Sequence, residues 1–222
     1  MVNRKHYFDK LVKLKDKQII KVVTGVRRCG KSTLLEMYRN YLLENDVEKN
    51  QIIAINFDDV DNEDLLDYKN LYKYLKDNLH AFKKTYIFLD EIQEVENFQK
   101  VVDSMFIKAN VDIYITGSNA HMLSGEIATL LSGRYIEIKM LPLSFKEYNE
   151  LMGGNIKDNF KKYFINGGFP YTTQLHDNEV LKDYIEGIYN TVIIKDIVTR
   201  KKITDVTLLK SIIITVLYIP SI

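Results

Sequence analysis

Five short apolar runs rich in β-branched residues, at residues 19–24, 52–57, 86–89, 112–116 and 135–138, alternate with segments of helical apolar spacing. The clearest helix is the stripe Phe98, Val101, Val102, Met105, Phe106 and Ala109, spaced i, i+3, i+4. Leu34, Leu35, Tyr38, Tyr41 and Leu42 mark another, and Leu65, Tyr68, Tyr72, Leu75 and Leu79 a third. Strands that alternate with helices predict an α/β fold, a parallel sheet covered on both faces with its ligands beyond the strands' carboxyl ends. After Pro142 the strand signals stop. Residues 160–164 and the run Leu181, Tyr184, Ile185, Ile188, Tyr189, Val192, Ile193 predict helices. The pattern divides the chain into a core over residues 1–142 and a helical lid or second region over 143–200.

At the junction of the first strand and its following helix, Gly25 to Ser32 reads GVRRCGKS and fits G-x-x-x-x-G-K-[ST] at every fixed position. Each fixed residue type has a job on a nucleoside triphosphate. Gly25 and Gly30 permit backbone angles and a close approach that a Cβ would block. Backbone amides at the helix start then cradle phosphate oxygens, where the helix dipole also favours negative charge. Lys31 reaches the β- and γ-phosphates, and the Ser32 hydroxyl ligates Mg²⁺. The candidate cradle is Gly25, Val26, Arg27, Arg28, Cys29, Gly30, Lys31, Ser32 and Thr33. Arg27 and Arg28 occupy variable positions, where contact with phosphate and plain solvation are both open. Cys29 has two readings as well: a thiolate stabilised by the helix start and Lys31, or a passive residue with its sulfur turned into the sheet.

The run Tyr86-Ile87-Phe88-Leu89-Asp90-Glu91 is four apolar residues followed by two carboxylates. A buried strand of this kind delivers Asp90 to its carboxyl end beside the phosphate loop. Asp90 is there the candidate holder of Mg²⁺ through water, and Glu91 the candidate base for an attacking water. The bland alternative is a helix-capping pair. The next strand ends Ile115-Thr116-Gly117-Ser118-Asn119, and Ser118 or Asn119 is the candidate contact to the γ-phosphate or the water; a simple turn uses the same residue types. Arg134, before the fifth strand, reads either as a finger reaching a neighbouring subunit's γ-phosphate or as a surface arginine opposite Glu137.

Composition narrows the class. With 31 basic and 30 acidic residues in 222, the net charge of +1 makes no general case for nucleic acid as a partner. The single cysteine rules out an internal disulfide and a cysteine-cluster zinc site, as in a reducing cytosol. His6, His80, His121 and His176 lack metal-ligand spacing. Lys195 and Arg200-Lys201-Lys202 read most simply as an exposed helix end and turn, with a patch for a nucleic-acid phosphate backbone as the alternative. Met1 to Lys17 alternates charged and apolar residues on a helical period, unlike a signal peptide, and residues 208–219 are too short an apolar stretch to span a bilayer. A soluble cytoplasmic protein is expected. No Asn-Lys-x-Asp guanine-reading tetrapeptide occurs, which favours ATP over GTP.

In order, GVRRCGKSTLL, INFDD, YIFLDEIQEV with FQKVVDSM, ITGSNAHMLS, LSGRYIEIKMLPLSFKEY and NGGFP resemble the prokaryotic AAA-type P-loop ATPases that carry a C-terminal domain of unknown function, relatives of archaeal and STAND-type ATPases. The likeness spans roughly residues 4 to 200. It implies a five-stranded sheet of order 5-1-4-3-2 with the carboxylate strand beside the phosphate-loop strand. It also implies ATP·Mg²⁺ at Lys31 and Ser32, a Walker B pair at Asp90 and Glu91, a sensor at Ser118 or Asn119, and an arginine finger at Arg134 in a homo-oligomer. Residues 190–198 look like the opening of the family's C-terminal domain, so residues 201–222 read as the start of a truncated one. ATP hydrolysis coupled to a protein partner is the expected activity. A P-loop kinase of a small acceptor and a nucleotide-gated binding module with little turnover remain alternatives.

Overall fold

The structure, a computed structural model, describes residues 4–108, 110–118, 131, 133–191, 198, 203–209 and 211–212. Five parallel strands form one sheet: β1 (Ile20–Gly25), β2 (Ile52–Asn56), β3 (Thr85–Asp90), β4 (Val111–Ser118) and β5 (Tyr135–Met140). Their order is β2-β3-β4-β1-β5, the expected 5-1-4-3-2 read from the other edge. One expectation is corrected. The carboxylate strand β3 is not beside β1, because β4 pairs with both and separates them. The register brings Gly25 level with Ser118 on one side and Met140 on the other, so the strand ends form a common rim.

Side-chain alternation assigns each strand residue to a face. On one face, α1 (Lys5–Leu14) and α2 (Lys31–Glu44) bring Leu11, Leu34, Tyr38 and Leu42 against Val23, Tyr86, Phe88 and Tyr114. On the other, α3 (Tyr68–Asp77) and α4 (Phe98–Phe106) bring Leu71, Leu75, Val101 and Met105 against Val22, Ile87, Leu89 and Ile113. Each fully buried aliphatic side chain stabilises by about 1.5–3 kcal/mol, so the two layers hold the sheet rigidly between them. Asp90 shares the parity of Tyr86 and Phe88. It therefore emerges on the α2 side, the side of the phosphate loop.

The third expected helix is shorter than its apolar stripe. Leu65 lies in a 3₁₀ segment (Val60–Leu66), and Asp67 then caps α3 by accepting from the amides of Lys69 at 2.9 Å and Asn70 at 3.0 Å. A capping carboxylate in the middle of an apolar stripe ends one element and begins another. Leu65 and Leu79 still pack on the core from outside the helix. Ala109, at the end of the α4 stripe, lies outside the described residues.

At the far end of the sheet from the rim, Lys21 and Asp112 are buried and pair directly. Asp112 also accepts from the Asp16 amide at 2.8 Å and the Tyr114 hydroxyl at 3.0 Å, and Lys21 Nζ donates to the Lys17 carbonyl at 2.9 Å. Burial pushes the lysine down and the carboxyl up, and each group opposes the shift of the other.

Beyond β5 come α5 (Phe145–Met152), α6 (Ile156–Asn166) and α7 (Asn178–Ile188); α6 includes the expected residues 160–164, α7 the first part of the expected Leu181–Ile193 run, and α5 is a helix the apolar pattern did not mark. The chain divides into two compact units, Met1–Pro170 and Tyr171–Ile222. Within the second unit α7 carries Leu181, Tyr184, Ile185 and Ile188, while Val192, Ile193, Lys195, Arg200, Lys201 and Lys202 lie outside the described residues. So does most of the 208–219 stretch; of its described part, Leu208 is 56% exposed and Ile212 50%. Among the described residues no helix is long and apolar enough to cross a membrane.

Candidate active site

The glycine loop closes tightly over the rim. A Cβ on Gly25 would lie 2.5 Å from the Met140 carbonyl oxygen and 2.8 Å from Cys29 Sγ, so only glycine fits. Gly30 has φ +100°, a left-handed turn into α2 that glycine adopts without strain. The amides of Lys31, Ser32 and Thr33 open α2, and no carbonyl precedes them in the helix to accept their bonds. The first helical bond runs from the Leu34 amide to the Gly30 carbonyl at 3.0 Å. The Lys31 side chain is buried beneath the loop, with Nζ 3.4 Å from the Gly25 carbonyl and 3.1 Å from Glu91 Oε1.

Glu91 follows β3 in a left-handed conformation, φ 53° and ψ 46°. For a residue with a Cβ this costs roughly 1–2 kcal/mol. Thr116 on β4 holds the turn: its hydroxyl accepts from the Glu91 amide at 2.9 Å and donates to Asp90 Oδ1. Gln93 Nε2 donates to Glu91 Oε2 at 2.7 Å, so both carboxylate oxygens of Glu91 are engaged. Asp58, just past β2, has its carboxyl pushed up, first by burial and then by the charge of Glu91, with Glu94 and Asp90 adding to it and Arg27 pulling back. Ser32 and Asp90 line one cavity of about 330 Å³, together with Arg39, Asn56 and Asp59.

The structure brings together Gly25, Gly30, Lys31, Ser32, Asp90 and Glu91. Ser118 ends β4 opposite Gly25, on the rim, and Asn119 lies outside the described residues. Arg27 is half-buried and acts on Asp58; Arg28 is exposed, in a left-handed turn of φ 64°; Val26 is half-buried and Thr33 exposed. The lowered thiol expected of one reading of Cys29 is corrected. Its side chain is fully buried, and burial pushes the thiol up against the opposing charges of Lys31 and Arg4.

Arg134 stands at the other end of the sheet, where its carbonyl accepts from the Ile20 amide at 2.9 Å. The six residues of β1 put that end roughly 15–20 Å from the rim, beyond an arginine's reach. Its side chain is 47% exposed and lies 3.9 Å from Asp103 Oδ1 and 5.7 Å from the Phe106 ring centre. Glu137, the partner suggested by sequence, is instead bonded by the Thr24 hydroxyl at 2.5 Å.

Thr116, Gln93, Asp58 and Arg4 are the site's unexpected members. Arg4, ahead of α1 and only 5% exposed, donates to the Cys29 carbonyl of the loop at 3.3 Å and to the Leu141 carbonyl at 2.7 Å. It also pairs with Glu147 of α5 at 2.9 Å. No grouping of His, Cys, Asp and Glu able to hold a metal by itself occurs among the described residues, His80 being turned onto the amides of Phe82 and Lys83.

Known proteins resemble the chain in sequence and in fold. The AAA domain family model matches residues 17–149. A protein of Haemophilus influenzae is 38% identical over 222 residues, 96% of this chain and 55% of its own length. One of Methanocaldococcus jannaschii is 36% identical over 209 residues, 86% of this chain and 44% of its own. The chain thus spans about half the length of these curated relatives. Among solved structures, a Walker-type ATPase of Pyrococcus abyssi superposes with a TM-score of 0.62 at 14% identity, covering 91% of this chain and 76% of that one, a likeness of fold. Family match, sheet order and phosphate loop lead to one conclusion: the chain belongs to the AAA domain family, within the P-loop ATPases.

Proposed function

We propose that this domain binds ATP·Mg²⁺ in the Gly25–Thr33 loop, hydrolyses it with Glu91 as the base, and passes the change of nucleotide state to a protein partner. The position of Glu91 carries the reading: its carboxylate stands 3.1 Å from Nζ of the phosphate-loop lysine. A carboxylate there faces the place where a terminal phosphate and its attacking water would lie. The residues fit the nucleotide. Gly25 lets the loop pack against the strand ends where a Cβ would collide with the Met140 carbonyl, and the buried Lys31 cation lies beneath the loop between the Gly25 carbonyl and Glu91. Ser32 and Asp90 border a single cavity, which suits a hydroxyl ligand and a water-mediated carboxylate on one magnesium ion. Bound magnesium would neutralise charge on the phosphate oxygens.

The remaining work belongs to the chain. Lys31 exchanges the Glu91 carboxylate for phosphate oxygens, and that exchange frees Glu91 Oε1 to take a proton from water. Thr116 keeps Asp90 and Glu91 in register across β3 and β4. Ser118 or Asn119 contacts the γ-phosphate or the water, and Arg134 serves the site of an adjoining subunit.

Two variants test this reading. Lys31→Ala should abolish measurable ATP binding, because it removes a ground-state contact. Glu91→Gln should keep binding while turnover falls about 10²–10⁴-fold. Wild-type turnover by Glu91→Gln would refute the base. Turnover that appears only with an added small acceptor would point to a kinase, and tight binding with a vanishing chemical step to a nucleotide-gated module.

A further inference from the structure

We infer that Gln93 is a positioning residue for the base, holding one oxygen of Glu91 so that the other faces the reacting water. The inference rests on Glu91 being the base, as proposed above. In the structure the two carboxylate oxygens have different partners. Oε1 lies 3.1 Å from Lys31 Nζ, and Oε2 accepts from Gln93 Nε2 at 2.7 Å. Nucleotide phosphates compete for the first partner, since Lys31 is the loop's cation. Nothing about nucleotide binding competes for the second.

The orientation of the Gln93 amide is settled by chemistry. Its nitrogen also approaches Glu94 Oε1 at 3.3 Å, so two carboxylates face the same end of the side chain. Turning the amide over would set its carbonyl oxygen against both negative charges. Gln93 therefore donates, and it donates from a short 3₁₀ turn (Ile92–Glu94) that begins directly after Glu91. Base and holder share one rigid local segment, pinned underneath by buried Ile92 and by the Glu91 amide on Thr116.

A freely rotating glutamate would need to find the productive rotamer at each turnover. With Oε2 tethered, loss of Lys31 to the phosphates leaves Oε1 free and the carboxylate plane unchanged. Gln93 bonds the carboxylates of Glu91 and Glu94 and not the phosphate loop, so its contribution falls on the chemical step and not on affinity.

The test uses Gln93→Met, which keeps size and loses the donor, alongside Gln93→Ala. Single-turnover hydrolysis should slow about ten- to a hundredfold, the effect of one hydrogen bond to a charged group, with ATP affinity measured by equilibrium titration unchanged. In a Glu91→Gln background the same change should have little further effect, because there is no base left to position. A readout apart from turnover is the ¹⁵N side-chain amide signal of Gln93, identified by its disappearance in Gln93→Met. That signal should move when Glu91→Gln is introduced into nucleotide-free protein. Wild-type or faster hydrolysis by Gln93→Met overturns the inference, as does an equal loss in both backgrounds or an amide signal indifferent to Glu91→Gln. If Glu91→Gln alone hydrolyses at the wild-type rate, the base assignment falls and takes this inference with it. An inactive Glu91→Gln beside a fully active Gln93→Met removes the Gln93 role alone.

Discussion

Cys29 shows how packing can overrule local electrostatics at a single residue. The start of α2 and the Lys31 ammonium both favour a thiolate, yet Sγ is sealed in the sheet, 3.8 Å from the Met140 carbonyl. Burial wins and the thiol is pushed up. Because maleimide attacks the thiolate, a raised thiol has less of the reactive form at neutral pH and gains it only as the solution becomes alkaline. Labelling of the folded protein should therefore be slow at pH 7, accelerate with rising pH, and become fast in denaturant. Rapid labelling of native protein at pH 7 would show the sulfur to be outside the sheet. The loop and the carboxylate pair were readable in the sequence because their chemistry demands particular residue types at set spacings. Thr116 and Gln93 were not. Threonine in a strand and glutamine in a turn are common, and what distinguishes these two is the register of β4 against β3 and the left-handed turn at Glu91.

Among the elements, the strands were the most legible, since a parallel sheet covered on both faces demands nearly continuous apolar runs. Their order along the sheet was not carried by those runs; it came through the family likeness, which still misplaced β3 beside β1. Polar residues inside the runs were the part left unread. Lys21 in β1 and Asp112 in β4 look like interruptions, but the strands' pairing brings their side chains together in the core. Removing one partner strands a buried charge, so Lys21→Met should destabilise by about 3–5 kcal/mol in urea unfolding. Adding Asp112→Leu should recover much of that loss, short of what the orphaned Asp16 amide and Tyr114 hydroxyl cost. ATP affinity should stay unchanged in both, because the pair lies at the end of the sheet opposite the loop. A double variant no more stable than the single one would contradict this. Helix ends follow capping chemistry more than apolar stripes. Asp67 cuts one stripe in two, and Ser144 with Glu147 starts α5 in a reciprocal box with the Glu147 carboxylate 2.8 Å from the Ser144 amide.

For the molecule as a whole, the distance between Arg134 and the rim makes its proposed role a matter of assembly. An arginine at the wrong end of its own sheet acts on a nucleotide only when another subunit presents that end. Arg134→Ala should then cut turnover by about 10³-fold or more with nucleotide affinity preserved, and mixing it with Glu91→Gln subunits should restore part of the activity. Turnover per subunit independent of concentration in a proven monomer would exclude the finger. Arg4 ties the molecule together differently, joining the start of the chain to the Cys29 carbonyl, to Leu141 and to Glu147. That clamp has a meaning in time. The phosphate loop is made well before its supports, because its strand β1 pairs only with β4 and β5, and its bracing arginine waits for Glu147. At about 5–20 residues per second, the gap between Arg4 and Glu147 is roughly 7–29 s of synthesis. The nascent loop lacks a sheet neighbour until β4 is made and lacks the complete clamp until Glu147 follows, so a nucleotide-ready loop is a late product of synthesis.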